Sequence, residues 1–328
     1  MRHTTQTSSE TPQMKPVQRM FAYWNLGVGI QLGLLILGVL CPLVGFSQQV
    51  KDVPKAFESL GSEPEIIRLA NEISVPSDGG HFQGVQVIYS DKKEKLLISG
   101  SSHTKAYVLQ ADLSTLKTDK LITLMEDPFR HAGGFQVSQN FLGVGIEDNL
   151  LKTFSKVCLF NYQDYHFYNA KPNLSIQREG AEKLQTAGAV GMVYLERNQY
   201  LMVVGNWDSR NWDFYSIDPE ANNQKRLLRF DVPKDWADYQ SINLMKDEKA
   251  IYAIGFYRNQ MMGCADLILV SYLDKFEPIM KKVNTKTFNC KNGADFGSAS
   301  GLQVDTKGSL HVWAVQSKTS KEIVVNKF

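Results

Sequence analysis

Five copies of one strand–turn–strand–turn–strand pattern fill most of this chain, and no other feature restricts its fold as much. The copies cover 81–113, 131–163, 186–218, 238–273 and 296–328, with starts 50 to 58 residues apart. Each opens beside Gly, Ser or Ala, continues into an apolar strand-like run, turns through a few polar residues, and runs on as a second and third strand. A repeat of this length holding four short strands is the mark of a propeller blade. The reading is an all-β fold: a five-bladed β-propeller of four-stranded antiparallel blades over residues 66–328.

The strands of each copy have different compositions, and each suits a different place in a blade. The first carries small residues, among them Gly84, Gly133, Gly134, Gly188, Gly191, Ser241, Ser300 and Gly301, which suit a crowded axis. The second is apolar on both alternating faces, as in Tyr200 to Gly205, so it must be covered on both sides. The third is rich in β-formers. Weaker runs near 118–125, 173–178, 224–231 and 276–284 supply fourth, outer strands. The last copy stops after a third strand, and the run at 66–74 (IIRLANEIS) is expected to complete it and close the ring, which removes an exposed edge. No helix is expected beyond the N-terminal segment.

That segment differs from the rest. Residues 1–19 carry Arg2, Lys15 and Arg19, and residues 20–50 contain no charged side chain. A basic flank before an apolar run reads as a secretory signal, with small residues at Gly45 to Ser47 allowing cleavage before Gln48. A retained anchor is the alternative, since about 20 apolar residues span a bilayer. The domain reading is therefore 1–47 signal peptide or membrane anchor, 48–65 linker and 66–328 propeller, in an exported protein (secreted, periplasmic or cell surface). The whole chain carries 43% apolar and 21% charged residues with a formal net charge of +2, so nothing favours nucleic acid. A monomer is expected, touching membrane only through an uncleaved N-terminus.

Antiparallel pairing puts the start of each first strand and the end of each second strand at one end of a blade. That rim gathers the candidate ligand-binding residues His81, His131, Glu147, Asp148, Asn206, Trp207, Asp208, Arg210 and Arg258. The opposite turns, such as Lys246 to Lys249, are plain polar hairpins. His81 and His131 occupy equivalent repeat positions, as metal ligands or proton carriers, or as repeat-encoded residues that hydrogen-bond the next blade. Glu147, Asp148 and Asn149 offer oxygens of the kind Ca²⁺ takes, or one carboxylate of a glycosidase pair with Asp208, or a soluble turn. The segment 206–213 places Trp207 and Trp212 around a charged turn. An exposed indole would stack on a sugar ring; a buried one would pack between blades. Cys264 and Cys290 are expected on the same rim as a disulfide, in an exported compartment. No Walker loop, dinucleotide fingerprint, HExxH, GxSxG or zinc-type cysteine pair is present.

The second copy, HAGGFQ…FLGVGIEDN…SKVCLFNY, resembles repeat units of exported bacterial β-propeller-like proteins of undefined role. The resemblance implies a fold, no activity and no catalytic residue. The first functional reading is an exported binding module for a carbohydrate, cell-surface component or protein partner, with no cofactor unless Ca²⁺ binds. The second is a glycoside or phosphoester hydrolase using Glu147, Asp148 and Asp208. The first ranks higher because the inner-strand starts offer His, Thr and Tyr in place of Asp or Glu.

Overall fold

The computed structural model describes residues 50–328 apart from 77, 91–92 and 272–278. The signal or anchor expected at 1–47 lies outside the described residues. Among those described, no helix is long and apolar enough to cross a membrane.

The chain is all-β. After helix α1 (Val53–Ser59) and strand β1 (Glu65–Ala70), sixteen strands follow in four consecutive antiparallel groups of four, and three more close the chain. The first group is β2 (Phe82–Ser90), β3 (Lys93–Gly100), β4 (Lys105–Asp112) and β5 (Lys117–Glu126). The second is β6 (His131–Ser138), β7 (Phe141–Glu147), β8 (Phe154–Asn161) and, after the single helical turn α2 (Tyr165–Tyr168), β9 (Leu174–Glu179). The third is β10 (Ala189–Glu196), β11 (Gln199–Gly205), β12 (Asn211–Asp218) and β13 (Asn223–Asp231). The fourth is β14 (Ser241–Lys246), β15 (Ile251–Asn259), β16 (Met262–Ser271) and β17 (Ile279–Phe288). The last group is β18 (Ala294–Val304), β19 (Leu310–Gln316) and β20 (Glu322–Lys327), joined by β1, which pairs antiparallel with β20 over six residues from Glu65↔Lys327 to Ala70↔Glu322.

The middle strands are covered on both faces, as their composition demands: every residue of β7 is buried. Five apolar clusters form the core. One lies between the first and second groups, around Phe135 and Phe160. Others join the second to the third, the third to the fourth, the fourth to the last and the last back to the first. Each group therefore packs on the next, and the series returns to its start.

Hydrogen bonding joins these groups further than five separate four-stranded blades would require. The strands form one closed set of eight, one sheet of eight and one of four. The joins between groups are single parallel pairs: Ser300↔Gly84, Ala189↔Gly134 and Ala70↔Lys117. Small residues are the cause at the first two. A Cβ on Gly301 would lie 1.8 Å from the Val85 carbonyl oxygen, and one on Gly133, beside the second join, would lie 2.2 Å from the Gly188 carbonyl oxygen. Inner strands approach until their backbones touch. Polar side chains fasten the centre: Gln136 Oε1 accepts from both Met192 N and Leu244 N at 2.7 Å, and Gln86 Nε2 donates to Asn243 Oδ1 at 3.2 Å.

Besides the single helical turn α2, where no helix is expected, two local features depart from the sequence reading. Residues 53–59, within the expected linker, are helical. Asp52 caps the helix by accepting from Lys55 N at 3.0 Å, and Pro54 suits the first turn. Val53 and Phe57 are fully buried with the core between the fourth and last groups. Asp247 Oδ2 accepts from Val53 N at 3.1 Å, which fixes where the segment enters. The second departure is that Cys264 and Cys290 are free thiols, so the expected disulfide is not formed. Successive strand residues face opposite ways. A Cβ on Gly263 would lie 3.0 Å from Cys290 Sγ, so the neighbouring Cys264 points to the other face of β16, within contact of Met262 O.

Candidate functional site

The rim where the second group meets the third collects a buried acid, a histidine pair and a half-buried tryptophan. His131 opens β6 and Glu147 ends β7, directly opposite each other in register. His131 also forms an isolated bridge with Ser101, after β3. His81, the equivalent residue of the first copy, stands edge-on to the His131 ring with centroids 6.2 Å apart. Gln83 Nε2 lies 3.0 Å from the His81 ring nitrogens, and Gln83 Oε1 accepts from Gln240 Nε2 at 2.6 Å. Asn149 Nδ2 donates to His131 Nδ1 at 3.2 Å. The ring proton then sits on Nε2, which faces Glu147 Oε2 at 4.0 Å.

The third group supplies the other wall. Glu147 Oε1 accepts from Ala187 N at 2.6 Å, just before β10. Thr186 Oγ1 accepts from Trp207 N at 2.6 Å, and the Trp207 ring lies 6.3 Å from that of His131. Trp207 stands on a turn with two consecutive non-glycine residues in the left-handed region, Asp208 at φ 60° and Ser209 at φ 49°. Such backbone persists where its surroundings hold it. Here Ser209 Oγ donates to Tyr239 O at 2.6 Å and Asn206 accepts from Asn211 N at 2.8 Å. Lys152 Nζ lies 3.9 Å from the Trp207 ring centroid, so one face of the indole is already covered.

The titration of this pair is set by burial. Glu147 is fully buried, and its carboxyl is pushed up to about 7 by desolvation, with Asp148 adding to the rise against the Ala187 N–H, Arg178 and Lys152. Its Oε2 has no hydrogen-bond partner among the described atoms. His131 is pushed down to about 3, by desolvation first and then by His81 and Lys152. Between those values the pair is a neutral carboxyl beside a neutral imidazole, and the 4.0 Å approach is not an ion pair.

The structure thus brings His81, His131, Glu147 and Trp207 together, while Asp148, Asn206, Arg210 and Arg258 are committed elsewhere. Asp148 shapes its own loop: Oδ1 accepts from Leu150 N at 3.3 Å and Lys152 N at 2.7 Å, and Oδ2 from Thr153 N at 3.3 Å. Asn206 Nδ2 donates to Lys183 O and Asn211 Oδ1, both at 3.0 Å. Arg210 clamps the following connection, donating to Trp236 O, Val232 O, Pro233 O and Asp238. Arg258 is exposed and pairs with Asp295 at 2.8 Å. Asp208 is exposed. Trp212 is fully buried, its Nε1 donating to Ser209 O at 2.9 Å. Among the described residues, no group of three or more His, Cys, Asp or Glu side chains is placed to hold a metal. Two contributors escape a sequence reading, Lys152 and Arg178. Lys152 looks like any loop lysine. Arg178, buried in the alternating strand LSIQRE, is a charge on the wrong face, and that is the one signal it gives.

No protein-family model matches this chain. No characterised protein matches it in sequence. Solved structures do share features of its backbone. A family GH43 β-1,3-galactosidase with galactodeoxynojirimycin superposes with a TM-score of 0.48 at 7% identity, over 78% of this chain and 93% of that one. The exo-β-1,3-galactanase of Phanerochaete chrysosporium with galactose gives 0.46 at 5% identity, over 79% and 62%. The Dos1 propeller gives 0.36 at 10% identity, over 76% and 55%. Likeness at this level transfers no residue role and no activity.

Proposed function

We propose that this rim is a carbohydrate-directed acid site, and that the chain is a hydrolase of the glycoside type with Glu147 as its proton donor. The five groups are read as the blades of a propeller, supported by the five core clusters that return to their start. The functional reading rests on Glu147, a buried carboxyl with one free oxygen that holds its proton up to about 7. Cleaving a glycosidic bond needs such a neutral acid to protonate the leaving oxygen, and a carboxylate on the other side of the sugar. Asp148 is occupied by its own loop, which leaves Asp208, on the strained turn beside Trp207, for the second role. Glu147 is fully buried, so a sugar would reach it only if neighbouring side chains, His131 among them, move aside.

This reading ranks above a pure binding module because Trp207 is not a free platform: Lys152 covers a face that a sugar would stack on. Export of the body is part of the proposal and rests on the basic flank and apolar run at 1–50. The test is to follow reducing-end release and sugar binding together in the full chain. Glu147→Gln should cut turnover by about 10²- to 10⁴-fold with binding kept, and Asp208→Asn should also slow it. Binding without turnover, lost in Trp207→Ala and kept in Glu147→Gln, would replace the hydrolase with a binding module.

A further inference from the structure

Three strands of the second group carry a row of buried polar residues toward the third. Glu147 on β7 is opposite Ser155 on β8, and Ser155 is opposite Arg178 on β9. Cross-strand partners project from the same face of a sheet, so the three side chains form one line. All three are buried. Neighbouring strands lie about 4.8 Å apart, which places the Glu147 and Arg178 backbones roughly 10 Å from each other, within reach of a long arginine leaning along the row.

Each end of the row is incompletely satisfied. Ser155 Oγ donates to Gln185 O at 2.5 Å, and Glu147 keeps Oε2 free. Arg178 uses Nη2 on Asp213 Oδ2 at 3.0 Å, but its Nε and Nη1 have no partner among the described atoms. Asp213 is itself shared. Arg229 donates to it through Nε at 2.9 Å and Nη2 at 2.7 Å, and Arg226 stands 4.0 Å away. One carboxylate therefore serves three guanidinium groups, and the buried Arg178 retains most of its charge.

The geometry points to Arg178 as a positioning residue for Glu147: its uncompensated charge, delivered along the Ser155 row, makes the buried acid able to release its proton. This deepens the acid-site reading and rests on it for its functional meaning. The charged or titratable groups beside Glu147 are His131 on β6, Asp148 and Lys152 on the following loop and Arg178 on β9; Arg178 in turn contacts Asp213, which Arg226 and Arg229 share. Of these, Arg178 is the one that is both buried and short of partners.

The experiment is a carboxyl-carbon NMR titration of glutamate-labelled full chain, with Glu147 assigned through Glu147→Gln. Wild type should titrate near 7. Arg178→Gln should raise the midpoint by about one pH unit, and Arg178→Lys, which keeps the charge, should restore it. Asp213→Asn, which frees Arg178 further, should lower it, and this variant decides the matter if Arg178→Gln does not fold. A midpoint that is unchanged in the folded variants overturns the proposal. The titration is readable whether or not the protein turns over a sugar. Full turnover by Glu147→Gln would sink the acid-site reading while leaving a shifted midpoint intact.

Discussion

Glu147 and His131 impose opposite pH dependences on folding. For His131 the folded state prefers the neutral ring, so stability rises with pH between about 3 and the ordinary value of 6.5. For Glu147 the folded state binds the extra proton, so stability falls with pH between the ordinary value of 4.5 and about 7. Their sum rises from about 3 to 4.5, is level to about 6.5 and falls toward 7. Thermal midpoints measured across this range should show that plateau. Glu147→Gln should convert it into a continuous rise, and a profile unchanged by the substitution would contradict the assignment. At this scale the sequence was informative about residue type and poor about partners. His81 and His131 stand out at the starts of their copies, and Glu147 and Trp207 at the turns after second strands. Lys152 and Arg178 do not, because their roles depend on which strand lies beside which, and no local pattern encodes that. The same limit explains Asp148: a carboxylate in a turn reads as a ligand until its backbone partners are seen.

Among elements, the inner strands and the segment after β13 make the sharpest statements. The small residues of the first strand in each copy were legible as crowding, and the structure turns that crowding into backbone contact. Gly301→Ala should cost about 3 kcal/mol, since the new methyl would overlap the Val85 carbonyl and neither strand can retreat without breaking the axis. Denaturant unfolding measures this directly. Arg210 holds the 232–238 connection through four backbone carbonyls, including Ala237 O at 3.4 Å. Arg210→Lys should lower stability by about 2 kcal/mol, because an ammonium cannot reproduce the planar fork. It should leave the Glu147 midpoint unmoved, and a shift there would mean that Arg210 belongs to the site after all. Helix α1 was not legible. Seven residues carry little periodicity, and their helicity depends on a cap and on a pocket formed by distant strands.

For the whole molecule, closure depends on β1 returning to β20, so residues near both ends of the described chain complete one group. Replacing Ile67 by Pro removes a paired N–H from that join. The expected result is a lower, broader melting transition and self-association through the opened edge, visible by size-exclusion chromatography. A monomer with unchanged melting would show that closure is dispensable. The repeat period made the all-β strand groups and the closing strand readable from the sequence, while the parallel joins that merge groups into larger sheets were not. The site was less readable because it breaks the repeat: the third copy has Thr186 where the first two have His81 and His131. The central claim is that the rim holds a working acid, and one comparison tests it most directly. Reducing-end release from a mixed glycan panel is followed for the full chain and for its Glu147→Gln variant, both verified as folded. The account predicts release by the parent chain that declines above about pH 7 and is about 10²- to 10⁴-fold slower in the variant. Release from no glycan by the folded parent, or equal release by the variant, would contradict it.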